Sequence, residues 1–196
     1  MSSTAVQTVP ATRQHLSRRQ ALTVERLTEA AVIELVEGGY PALTVRGVAK
    51  RAGVAAATAY TYFASREHLL AEVFWRRLDG QAAPRMDRRR SPAARATDVL
   101  LGFALVVAEE TELAAACTVA LLADDPEVRD LRARIGGELH RRLTEVCGDD
   151  VRLGAIEVLE LATTGALLQV GTGHLSYGDV PALLARVADV VLGGTR

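Results

Sequence analysis

The side chains with the clearest chemical potential lie between Gly39 and Leu70. Thr44 and Arg46 stand two residues apart. Ala57, Thr58, Tyr60, Thr61 and Tyr62 follow in one run, and Arg66 comes four residues after Tyr62. Hydroxyls and guanidinium groups in this mix suit phosphate oxygens, and an arginine can also read a base edge through paired donors. The chain has no Gly-x-Ser-x-Gly elbow, phosphate-binding glycine loop, dinucleotide fingerprint or His-Glu-x-x-His pair. An enzyme is therefore not expected, and neither is a cofactor. Carboxylate pairs such as Glu109-Glu110 and Asp124-Asp125 read as helix-surface and capping residues. The four histidines are scattered, and Cys117 and Cys147 lie far apart in apolar helical patterns. That is the pattern of reduced, buried thiols, not of a disulfide or a metal site.

The elements that must position these groups are helical. Leu27, Ala30, Ala31, Val32, Leu35 and Val36 recur at helical spacing from about Thr23. Gly38-Gly39 ends that helix and Pro41 blocks its continuation. Thr44 is a good N-cap for a short helix whose apolar face is Val45, Val48, Ala49 and Ala52. Gly53 turns the chain, with Val54 plugging the core beneath it. A second short helix covers about Ala56–Phe63, and a third begins after Ser65. Two short helices around a glycine turn form a helix-turn-helix, whose second helix can enter a major groove. Tyr60 and Tyr62 cannot both face one core direction, so at least one points outward, and Phe63 is the better core candidate.

Composition fits an all-α chain: alanine, leucine, valine and arginine dominate, and only one Trp, four Tyr and three Phe occur among 196 residues. The net charge of −1 conceals an asymmetry. Residues 1–90 carry +6 and residues 91–196 carry −7, as expected for a polyanion-binding head on a non-binding body. Residues 1–20 read as a disordered basic arm, residues 21–83 as the head, and residues 84–196 as the body. The Pro84–Pro92 stretch forms the boundary. No signal core or membrane-length apolar run occurs, so a cytoplasmic protein without membrane contact is expected. Helices are expected over about Ala93–Ala108, Glu112–Ala123, Pro126–Val146, Val151–Thr172 and Val180–Leu192, with Asp179 capping the last.

The ordered pieces Gly39-Tyr40, Thr44-Val45-Arg46, Val48-Ala49, Ala52-Gly53-Val54, Thr58-Ala59-Tyr60-Thr61-Tyr62-Phe63, Ser65-Arg66-Glu67 and Leu69-Leu70 resemble the TetR family of bacterial transcriptional regulators. The resemblance covers about Leu27 to Leu70. It implies an N-terminal helix-turn-helix DNA-binding domain joined to a C-terminal helical bundle for ligand sensing and dimerisation. It also implies a ligand-responsive regulator, in the main a repressor, that binds a palindromic operator in double-stranded DNA as a homodimer. The DNA contacts fall on Thr44, Arg46, Ala57, Thr58, Tyr60, Thr61, Tyr62 and Arg66, with Arg66 as the family's usual phosphate contact. Capping alone would also account for Thr44, and solvation alone for Arg46. The chain departs from the family at Ala55-Ala56-Ala57, where a hydroxyl residue often caps the recognition helix.

By the same resemblance, helices about 151–172 and 180–192 form the dimer interface. The first is apolar over much of its circumference and the second carries Leu183, Leu184, Val187, Val190 and Val191 on one stripe. Ala104, Ala108, Ala114–Ala116 and Ala120, with Cys117 and Thr118, either leave room for a small apolar effector or mark closely packed helices. A helical interaction module without DNA binding is the remaining alternative, and the +6 of the first half counts against it.

Overall fold

A computed structural model describes residues 17–82, 86–148 and 151–193. Among the described residues it is all-helical, with nine helices: α1 (Arg18–Ala42), α2 (Val45–Arg51), α3 (Ala56–Tyr62), α4 (Arg66–Asp79), α5 (Pro92–Ala104), α6 (Thr111–Leu121), α7 (Pro126–Cys147), α8 (Ala155–Gly171) and α9 (Val180–Leu192). α1 opens earlier than its apolar pattern suggests. Ser17 accepts from the Gln20 backbone N–H while the Gln20 side chain accepts from the Ser17 N–H, a capping box inside the expected arm. Residues 17–20 are thus ordered, and residues 1–16 lie outside the described residues. Gly39 (φ 73°) breaks the helical backbone where the glycine pair predicts it.

Local caps explain most of the other boundaries. Thr44 accepts from Gly47 N–H at 3.0 Å and Ser65 from His68 N–H at 2.9 Å. Asp125 accepts from the N–H groups of Glu127 (2.8 Å) and Val128 (3.4 Å), with Pro126 in the first turn of α7. Two expectations shift. α8 starts at Ala155, not at Val151, because Gly154 takes φ 82° immediately before it. Asp179 holds the N-cap position of α9 but makes no cap bond; its carboxylate accepts from Ser176 at 2.5 Å.

Most buried hydrophobic residues form one continuous core, from Leu27 and Leu35 of α1 through Phe63 and Leu69 to Leu100, Leu113, Leu143, Leu159 and Leu184. α4 packs on α6 and α7, α5 on α7 and α9, and α8 on α9. α4 is tied to α7 at both ends. At its start, Ser65 Oγ donates to Asp125 Oδ2 at 2.6 Å. At its end, Arg142, only 5% exposed, donates from Nη2 to the Leu78 carbonyl at 3.0 Å and from Nε to Glu138 at 2.6 Å. Between these ties Ala71 packs on Val128 and Leu131, and the Arg134 guanidinium lies 4.6 Å over the Trp75 ring. A second buried arginine, Arg95, donates to the carbonyls of Val146 and Arg90, both at 2.6 Å, joining α5 to the end of α7. Each guanidinium satisfies carbonyls that a helix end or loop would otherwise leave open.

Candidate nucleic-acid interface

α2 and α3 meet across a tight turn. Val45, Val48 and Ala49 bury the inner face of α2, and the Val54 N–H donates to the Ala49 carbonyl at 2.9 Å. Gly53 sits at φ 62°, and an added Cβ would lie 3.2 Å from the Arg26 guanidinium, which itself donates to the Ala52 carbonyl. The position therefore favours glycine for its left-handed conformation, and a Cβ would also press on Arg26. α3 is held by Ala59, Tyr62 and Phe63. Its outer face carries Ala57, Thr58, Tyr60 and Thr61, all exposed, with Tyr60 52% accessible.

The tyrosine pair thus divides: Tyr60 faces solvent and Tyr62 is buried beside Phe63. Tyr62, expected among the DNA contacts, lies in the core and not on the outer face of α3. The residue is only 6% exposed. Thr61 Oγ1 donates to its own helix, at the Ala57 carbonyl, 3.1 Å away. Ala55, at the N-cap of α3, has extended backbone and no cap bond, as the alanine run predicts.

Thr44 and Arg46 are exposed at the start of α2. They rim a concavity with Gly47, Lys50, Val54 and Ala56, next to the start of α3. Lys50 is a candidate that motif reading passed over. It is the chain's one lysine and lies four residues after Arg46, hence on the same helix face. Arg51 is turned away and neutralised by Glu34, at 2.5 Å, and by Glu37. Arg66 is also engaged. It pairs with Glu67 at 2.8 Å, donates to the Tyr40 carbonyl at 3.1 Å and stacks 4.4 Å over the Tyr40 ring, while Tyr40 OH donates to Glu67 at 2.8 Å. This clamp fastens the start of α4 to the end of α1 beneath α3.

Residues 27–73, which span this assembly, match the family described as bacterial regulatory proteins, tetR family. Over 206 aligned residues the chain is 44% identical to an HTH-type transcriptional regulator of Mycobacterium tuberculosis, covering 100% of this chain and 96% of the relative. The chain belongs to the TetR family.

The TetR fold extends through the body. A TetR transcriptional regulator from Rhodococcus sp. RHA1 superposes with a TM-score of 0.74 at 23% identity, covering 91% of this chain and 100% of that one. FadR of Thermus thermophilus, a TetR-family transcriptional repressor in complex with lauroyl-CoA, superposes with a TM-score of 0.60 at 21% identity, covering 88% and 95%. In this TetR-family regulator the body holds a half-open cavity of about 550 Å³ between α4, α5, α6, α7 and α8. Phe74, Phe103, Cys117, Leu139 and Leu167 are among its walls, and the two phenyl rings meet edge to face at 6.0 Å. The alanine-rich α6 does both things its sequence allows. Ala114 and Thr118 line the cavity, whereas Ala116 and Ala120 are packed into the core. Burial pushes the Cys117 thiol up to about 12, so it lines the wall as an inert side chain. No described helix is long and apolar enough to cross a membrane.

Proposed function

We propose that this regulator is a homodimeric repressor, that α3 enters the major groove of a palindromic operator, and that a small apolar effector in the body cavity releases it. The observation that carries the reading is the outward face of α3, with Ala57, Thr58, Tyr60 and Thr61 exposed beside the exposed Arg46 and Lys50. Threonine methyls and Ala57 suit thymine methyls, Arg46 suits a guanine edge or phosphate, and Thr44 and Tyr60 suit phosphate oxygens. Arg66 acts first as a positioning residue through Tyr40. Residues 21–83 and 84–196 divide by role, since their core is shared. The dimer uses α8 and α9, where Val158, Leu161 and Val190 stay exposed on a single protomer. The liganded FadR fold supports the body cavity as the effector site.

A mobility shift on the regulator's own promoter region, over a salt series with competitor DNA, tests the reading. Specific, salt-sensitive binding to a palindrome is expected, lost in Arg46→Ala and restored in part by Arg46→Lys. Binding that competitor DNA abolishes at every salt concentration would overturn operator recognition.

A further inference from the structure

We infer that the effector is an amphiphile with an apolar body and a cationic end, such as a protonated amine, and not an anionic acyl compound. The inference rests on the body cavity being the effector site. Its walls are apolar and partly aromatic, but its charged lining is unequal. Glu157 and Glu160 both line the cavity from α8, three residues apart and so on one helix face. Arg132 is the single basic residue among the lining groups, and it is already engaged: Nη1 donates to the carbonyls of Leu121 at 2.7 Å and Ala123 at 2.9 Å. Glu160 is anchored by His140 at 2.9 Å, which leaves its second oxygen for a ligand. Thr164 lies one turn beyond Glu160, and Tyr177 adds an aromatic face with a hydroxyl. An ammonium group beside α8 meets two carboxylates. A carboxylate or phosphate in the same place would be repelled by both glutamates, with only a tethered arginine to offset them.

Gly136 supplies the control. It lines the cavity, and a Cβ built on it meets nothing within 4 Å. Gly136→Leu therefore adds bulk at the cavity wall from a Cβ that meets no neighbour, and also removes a mid-helix glycine.

The test is calorimetric titration of the full-length protein with decylamine, decanol and decanoate, each below its micellar concentration. The expected order of affinity is amine, then alcohol, then acid. Glu157→Gln with Glu160→Gln is expected to narrow the amine-to-alcohol ratio by about tenfold, the scale of two partly exposed carboxylates. Gly136→Leu is expected to abolish binding of both. Tighter binding of decanoate than of decylamine overturns the charge assignment and leaves the cavity standing. Failure of all three probes to bind, or equal binding to Gly136→Leu, overturns the cavity as the effector site and the charge assignment with it.

Discussion

The bond between Ser65 and Asp125 joins the first residue before α4 to the first residue before α7, and its energy can be worked from the groups involved. Each residue caps its own helix, and each cap is worth about 1 kcal/mol. The shared hydrogen bond, 2.6 Å long and made to a carboxylate, adds about 1 kcal/mol after allowance for its partial exposure. Ser65→Ala and Asp125→Ala should therefore each cost about 2 kcal/mol. The double variant should cost about 3, because the shared bond is lost only once. Urea unfolding of the four proteins reads a coupling of about 1 kcal/mol directly. Asp125→Asn, which keeps one acceptor oxygen for the helix cap and replaces the other, the acceptor of the Ser65 hydroxyl, with an amide N–H, should cost less than Asp125→Ala. Strictly additive single variants, with coupling below about 0.3 kcal/mol, would refute the bond as the joint between head and body.

Three further outcomes are expected. Arg46→Ala should lower the salt slope of DNA binding by about one phosphate equivalent, and Arg51→Ala should leave it unchanged because Glu34 and Glu37 already hold that guanidinium; mobility shifts over a salt series measure both. Ala55→Ser places a cap on α3 in backbone already extended for it (φ −62°, ψ 136°), and should raise Tm by about 2–4 °C in a thermal melt. The Arg141 and Arg142 guanidinium groups hold the Glu138 carboxyl at about 2, below its ordinary 4.5. A carboxylate depressed on folding stabilises the protein above its unfolded value, and that contribution is lost as pH falls from about 4.5 toward 2. Glu138→Gln should flatten stability across that window, as followed by circular dichroism.

Local signals were legible wherever one residue decides one backbone turn. Gly39, Gly53, Thr44, Ser65 and Asp125 each announce their role because φ or a cap bond depends on a single side chain. The helix-turn-helix was readable for the same reason, as its spacings are short. Choices made by tertiary packing were not readable. Helical geometry requires that Tyr60 and Tyr62 diverge, but the neighbours of α3 decide which one is buried. Arg66 looks like a free cation until the fold brings Tyr40 of α1 to it and to its neighbour Glu67. Arg95 and Arg142 pass for surface residues, yet each is buried to serve carbonyls more than fifty positions away. The Ser17 capping box lies in a polar stretch with no apolar periodicity to mark it.

α7 carries a mechanical asymmetry. Its two ends are fastened to α4, yet its middle holds Gly136 and Gly137, whose missing side chains no neighbour requires. Each glycine weakens the helix by about 1 kcal/mol relative to alanine. A beam clamped at both ends and soft at the centre stores deformation there, beside the cavity, and transmits it to its clamps. Backbone amides around these glycines should then be the first of α7 to exchange with solvent, and a ligand that stiffens that centre would reset the pose of α4 without breaking either fastening.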